Sequence, residues 1–404
     1  MPRKVNRIPY FICTGVSGLQ LGVLFAWTYY RDPLATMFPS WTASQLSLVF
    51  SVHNVTVVIL ALVSGVLLKY LKPRTLVAMS SAMVLIGLGA FPYFPQNDPN
   101  AAYIMLFICF GIVNAASAGF GGISIPAAYQ PWAPDHLGLL TGILFMVCGC
   151  SPILFGYICS LLIPAVGVLR AVQILGIIGC IVLAVTLPWC KQPGPDVVLP
   201  APKTKENAAS AHDHTWKEVL RSPVFWFFFL YNAMARSVGM ILLDLGGMMA
   251  ITFGAAALFG LVASPANGVA SVIGGLIQDR IGVSKTILLS CGLLVLGSLL
   301  FISGNILSSA LLVVIALVLG GAGFGFCMMM GASATRVLFG GKYFAQNYSF
   351  VAISGALAGV SGYLAGLLLD RFSNYSAVFI LIMALSILSL VFGLLLVGAR
   401  KRRP

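Results

Sequence analysis

Long apolar runs, separated by short polar or charged segments, occupy almost the whole chain. Twelve runs are long enough to cross a bilayer, which takes roughly 20 mostly apolar residues. They lie at about 8–30, 44–68, 74–95, 101–128, 137–163, 167–190, 223–250, 255–279, 284–303, 307–335, 344–369 and 374–398. Within lipid a backbone must satisfy its own hydrogen bonds, so runs of this length predict helices. A membrane β-barrel would show alternation over about ten residues, and the runs here are continuous. The first run follows a basic start, Met1 to Arg7. It is long enough to span and has no clear cleavage site, which separates it from a signal peptide.

Composition agrees. Hydrophobic residues make up 59% of the 404 and charged residues 8%, against about 25% charged in a soluble domain. Mean hydropathy is +1.00. A soluble globule, a disordered chain and a small disulfide scaffold are all excluded. The net charge of +13 does not mark a nucleic-acid partner, because the basic residues lie between the apolar runs and form no single patch.

The basic residues set the orientation. With the N-terminus inside, cytoplasmic segments hold all but four of the 23 Lys and Arg; Arg31, Arg170 and Arg371 fall outside, and Arg236 lies within a run. Both termini are therefore expected in the cytoplasm. The one long polar stretch, 191–222, is Pro-rich and charged, so it reads as a linker. It divides the chain into an N-terminal six-helix half (1–190) and a C-terminal six-helix half with a short basic tail (223–404). Thr215-Trp-Lys-Glu-Val-Leu-Arg at its end suits a short amphipathic helix. His212 and His214 form a weak metal-like pair; two solvated linker histidines is the simpler reading, and no metal site is expected.

The halves repeat one another. Gly65-Val-Leu-Leu-Lys69-Tyr-Leu-Lys72-Pro-Arg74 follows the second run, and Gly275-Leu-Ile-Gln-Asp279-Arg280-Ile-Gly282 follows the eighth. Twelve spans, a 6+6 split and the Gly-x-x-x-Asp-Arg-x-Gly loop resemble the major facilitator superfamily. Trp132-Ala-Pro-Asp135-His-Leu-Gly138-Leu-Leu-Thr-Gly142 resembles an element of its carboxylate transporters. Trp216-Lys-Glu-Val-Leu-Arg-Ser-Pro223-Val-Phe-Trp226 and Phe339-Gly-Gly-Lys-Tyr343-Phe-Ala-Gln-Asn347-Tyr348 are similar to the oxalate:formate antiporters, relatives of the monocarboxylate porters. The resemblance implies an all-α membrane protein of the major facilitator fold. It also implies alternating access about a midplane site. Two family cations are absent: the span-eight Arg falls on Ser271 and the span-eleven Lys on Gly355, which argues against oxalate itself. Lys69 stands where the first-half loop usually has Asp.

A charge inside a span costs at least about 2.5–3.5 kcal/mol for Arg near the helix centre. Arg236 lies about 20 Å along its helix from Pro223, near the midplane, and Asn232 shares its face. It is either an anion-binding residue, replacing the charges lost at Ser271 and Gly355, or a structural Arg paired with carbonyls or Asp244. Asp244, roughly 12 Å further along, is a protonatable coupling group or an outer helix-end residue beside Gly246 and Gly247. His53 and Asn54 are near mid-depth in the second span. His53 either accepts a proton that travels with an anion or is a neutral His bonded to a neighbouring helix. Asn114 and Asn267 are further pocket candidates. Asp279 and Arg280 sit at a cytoplasmic helix end, where charges can be solvated, and suit a latch that closes in one state only. Trp27, Tyr29, Tyr30 and Arg31 read as an interfacial belt.

Gly142, Gly149 and Gly156 recur on nearly one face of the fifth span. Gly355 with Gly359, and Gly362 with Gly366, form small-xxx-small pairs in the eleventh, so both stretches are expected to pack closely on other helices. The nine cysteines read as small buried hydrophobes. The expected function is secondary transport of a small organic anion, a monocarboxylate, by exchange or proton symport. The expected setting is the inner (plasma) membrane, as a monomer, without cofactor. An exporter of amphiphilic drug-like compounds would favour carboxylates for cations, which the spans lack. A membrane enzyme would show paired Asp, His or Glu at membrane level; no such cluster is apparent.

Overall fold

The computed structural model describes residues 5–194, 196–204, 213–254, 264–372 and 374–401. The regular structure among them is helical. Two compact units form: Met1–Trp132 with Cys150–Val198, and Ala133–Gly149 with Leu199–Pro404. Among the described residues, ten helical segments are long and apolar enough to cross a membrane.

The first unit contains α1 (Ile8–Leu21), α2 (Trp27–Met37), α3 (Ala43–Leu67), α4 (Pro73–Gly89), α5 (Pro99–Leu106), a π-helical segment (Phe107–Asn114) and α6 (Ala115–Tyr129). The later part of α7 (Leu137–Val166) and α8 (Val168–Thr186) complete it. Local sequence sets the starts. Thr42 and Gln45 form a reciprocal capping box before α3, and Pro73 and Pro99 occupy first-turn positions where no N–H is needed.

The first apolar run was expected to end near residue 30. It breaks instead into α1 and a 3₁₀ turn, and then α2 continues to Met37. The interfacial-belt reading fails for Trp27 and Tyr30. Both are buried in an aromatic core with Phe91 and Phe110. Tyr29 lies against α7 instead, where a Cβ on Gly156 would meet its ring.

The second unit holds the start of α7, α9 (Trp216–Arg221), α10 (Pro223–Thr252), α11 (Ser264–Ile281), α12 (Val283–Ile306), α13 (Ala310–Phe339), α14 (Phe344–Ala352), α15 (Ser354–Phe372) and α16 (Ser376–Lys401). Glycines let α7 and α11 touch along their backbones. Gly138 meets Gly275, and a Cβ on Gly142 would come within 2.5 Å of the Ser271 carbonyl. Gly149 packs on Gly268. The expectation for the eleventh span differs. A Cβ on Gly359 or Gly366 would meet nothing within 4 Å, so neither seats another helix.

The end of the linker is docked. The short helix expected there forms as α9, with Thr215 and Glu218 as a capping box. His214 is not a solvated residue. Its N–H donates to the Phe339 carbonyl at 3.0 Å, its own carbonyl accepts from Asn347 Nδ2 at 2.9 Å, and its ring stands edge-on to Phe339. Asp213 accepts the Lys342 N–H at 3.0 Å. Gly340, at φ +88, lies so close that a Cβ would strike the Asp213 carboxylate. His212 lies outside the described residues.

Candidate functional site

Arg236 is carried by α10 in the second unit and is 8% exposed. Its guanidinium lies between two glycines. A Cβ on Gly331 of α13 would be 3.0 Å from Nη2, and one on Gly355 of α15 would be 3.0 Å from Nη1. Tyr348 of α14 borders the same space, its Cε2 3.9 Å from a Cβ on Gly331. Asn232, one turn before Arg236 and fully buried, donates through Nδ2 to the Phe228 carbonyl and accepts the Cys327 thiol at 3.6 Å on Oδ1. That same Oδ1 lies 3.4 Å from a Cβ on Gly331. Four helices thus converge on one cation.

Among the described residues no carboxylate pairs with Arg236, and its Nε–H is buried without a partner. A buried guanidinium left without an anion is costly. The arrangement suits a planar anion that accepts two parallel N–H bonds. The α10 helix passes Asp244 and the Gly246-Gly247 pair unbroken to Thr252. The Asp244 side chain lies outside the described set. Ser271, where the resemblance places a family cation, is committed elsewhere. It is fully buried and donates to the carbonyls of Asn267 and Gly325, both at 3.0 Å. Gly355 is different, because the room beside it is where the Arg236 guanidinium sits.

Asn267 packs into the interface of α7, α11 and α13. Its Nδ2 is 3.3 Å from a Cβ on Gly149 and its Oδ1 is 3.1 Å from one on Gly325. None of these neighbours belongs to the group around Arg236.

The other candidates lie in the first unit. His53 is fully buried on α3. Its Nδ1 is 3.0 Å from the Phe110 carbonyl. A carbonyl can only accept, so Nδ1 carries the proton and Nε2 is the bare acceptor. Nε2 has no partner. The imidazole stacks on the Phe110 ring at 4.6 Å, and Trp27 stacks on the same ring at 4.6 Å. Phe110 belongs to the π segment, a geometry often found at functional positions. Asn54 donates to the Phe50 carbonyl on its own helix. Asn114 ends the π segment, 4% exposed.

Asp279 is 4% exposed, so the expected solvation does not occur. Its charge is met by peptide dipoles. The Gly138 N–H donates to Oδ1 at 2.8 Å and the Leu139 N–H to Oδ2 at 2.9 Å. These are first-turn groups of α7, which have no acceptor within their own helix. The carboxylate therefore caps α7 from α11. Arg280 beside it is exposed.

Sequence reasoning named Arg236, Asn232, His53 and Asp279 as candidates, of which the structure brings Arg236 and Asn232 together beside Gly331. It missed Cys327 and Gly331, for which no linear signal exists. It met Tyr348 only through resemblance, and Gly355 through resemblance and as half of a small-xxx-small pair.

Comparisons with known proteins bear on the family and the fold. The family model described as Major Facilitator Superfamily matches residues 10–266 and 232–404. The chain is 22% identical over 371 residues to the uncharacterized MFS-type transporter YhjX of Escherichia coli (strain K12), covering 89% of this chain and 88% of that protein. Its fold is similar to the proton:xylose symporter XylE bound to 6-bromo-6-deoxy-D-glucose, with TM-score 0.77, 13% identity, and 98% and 96% of the two chains covered. It is also similar to a bacterial homologue of the iron transporter ferroportin in an outward-facing state, with TM-score 0.74, 14% identity, and coverage of 97% and 99%. The E. coli fucose:proton symporter FucP aligns with TM-score 0.63 at 14% identity, covering 98% and 99%. With a family model spanning nearly its whole length, this multi-pass, all-helical membrane protein belongs to the major facilitator superfamily of transporters.

Proposed function

We propose that the protein is a secondary transporter of a small organic anion, a monocarboxylate, in the plasma membrane with both termini cytoplasmic. The observation that carries this reading is Arg236: a guanidinium buried on a membrane helix, with an unpartnered Nε–H and no carboxylate beside it among the described residues. A lone cation at that depth costs at least about 2.5–3.5 kcal/mol. A bound anion offsets this cost, and the planar fork matches a carboxylate. The other basic groups described in the second unit lie at helix ends or in loops, which favours one negative charge over two.

Two further features fit the transport cycle. The Asp279 cap on α7 ties the fifth span to the eighth, so it serves as a latch that is made in one state and released in another. His53, with one nitrogen fixed by the Phe110 carbonyl and the other bare, is the group that takes up a proton accompanying the anion. A proton moved with a monocarboxylate makes the step electroneutral. That avoids about 2.3 kcal/mol per 100 mV for each charge carried.

The test is uptake into proteoliposomes of labelled pyruvate, lactate, formate and oxalate, with xylose and fucose as neutral controls. Each is measured with and without a pH gradient and with and without internal counter-substrate. Saturable uptake of a monocarboxylate, weaker for oxalate, is expected. Uptake of a sugar with no carboxylate transported would overturn the proposal.

A further inference from the structure

Gly331 and Gly355 both lie in helical stretches at ordinary negative φ. No turn requires glycine at either, and glycine weakens a helix relative to alanine. Close backbone packing does not explain them either. Gly138 and Gly142 of α7, which face α11, have carbonyl oxygens of that helix as their nearest neighbours. At Gly331 the neighbours of a Cβ are side-chain atoms: Arg236 Nη2, Asn232 Oδ1 and Tyr348 Cε2, the last at 3.9 Å. At Gly355 there is one neighbour within 4 Å, Arg236 Nη1 at 3.0 Å. Among the described residues no other atom lies within 4 Å of that Cβ position, the helix's own backbone aside. A methyl on Gly331 would crowd the guanidinium together with Asn232 and Tyr348, whereas one on Gly355 would crowd Nη1 alone, by a few tenths of an ångström, and would take up the room next to it.

We propose that Gly331 and Gly355 are the positioning residues of the anion site, and that Gly355 sets the size of acid accepted. Gly331 fixes the depth of the guanidinium against α13. Gly355 leaves beside Nη1 the volume in which the carboxylate and the first carbon of its substituent sit. This inference rests on the anion-transport reading above and names the determinant of its substrate size. It accounts for a buried Arg that holds its place by contact with two bare backbones and keeps an unpartnered Nε–H.

The test compares pyruvate with formate in proteoliposomes. Pyruvate carries a substituent on the carboxyl carbon and formate has only hydrogen. Gly355→Ala is expected to raise KM for pyruvate about tenfold, the usual effect of one methyl group misfitted in a pocket. KM for formate should move by less than about threefold, with Vmax and membrane abundance unchanged. Gly331→Ala, which displaces the guanidinium itself, should weaken both acids alike. Gly359→Ala, on the same helix with nothing within 4 Å, is the control and should change neither. If Gly355→Ala fails to reach the membrane, Gly331→Ala against Gly359→Ala decides, on KM for both acids at unchanged Vmax. Equal losses for pyruvate and formate in Gly355→Ala, unchanged KM in either glycine variant, or a loss in Gly359→Ala as large as theirs would overturn the inference. A wild type that transports none of the acids, or an Arg236→Gln variant with full uptake, would instead overturn the anion reading beneath it.

Discussion

Replacing Asp279 by asparagine removes a charge that two peptide N–H groups share. In the structure Oδ1 and Oδ2 each accept one bond, from Gly138 at 2.8 Å and Leu139 at 2.9 Å, in a site 4% exposed. Asparagine keeps one acceptor and turns an NH₂ toward the other N–H. The loss is one charge-assisted bond, about 1.5–3 kcal/mol. The favourable contact with the α7 dipole, about 0.3–1 kcal/mol, goes with it. Together these amount to roughly 2–4 kcal/mol, or about thirty- to several-hundredfold in the cap equilibrium, since 1.4 kcal/mol is tenfold. Both N–H groups are in the first turn of α7, so the carboxylate is their only described acceptor. Hydrogen exchange read by mass spectrometry on a peptide covering 137–142 reports the cap directly. Exchange at Gly138 and Leu139 should quicken by that factor in Asp279→Asn and stay unchanged in the middle of α12. Equal exchange in wild type and variant would refute the capping argument.

Three other outcomes are expected. Anion uptake should rise as external pH falls, and His53→Gln should flatten that dependence; a variant with the full pH dependence would make His53 structural. Gly340→Ala, at φ +88 against the Asp213 carboxylate, should destabilise by about 1–3 kcal/mol, seen as a lower midpoint of thermal unfolding in detergent, and an unchanged midpoint would contradict the docked linker. A tag at residue 205 should be reached only from the cytoplasm and one at residue 98 only from outside; labelling of 205 on intact cells would reverse the orientation.

Membrane helices were legible because hydropathy acts residue by residue. The cost of an apolar residue in water, or of a charge in lipid, does not depend on which neighbour it later meets. Hydrogen-bond register was not legible. Phe107–Asn114 is as apolar as the helices around it, and nothing in its composition marks the π geometry that brings the Phe110 carbonyl to His53. Glycine roles were legible only in part: close packing was expected at Gly142 and Gly359 alike, and only the first shows it. Gly142, Gly355 and Gly359 are indistinguishable in a helical pattern. Only tertiary contact shows that the first touches a backbone, the second a guanidinium and the third nothing within 4 Å. Arg236 was found because a lone cation in a span violates a rule, and such violations mark function more often than packing does. Cys327 and Gly331 violate none, and so they stayed hidden.

The central claim is that Arg236 holds the transported anion. The most direct measurement is saturable pyruvate uptake by wild type and Arg236→Gln in proteoliposomes with equal amounts of folded, inserted protein. Pyruvate is a strong enough acid that passive entry of its neutral form stays small. Losing a charge-assisted, forked contact costs about 1.5–3 kcal/mol per hydrogen bond, so two bonds predict loss of measurable uptake in the variant. Uptake by Arg236→Gln with wild-type KM and Vmax would contradict the account.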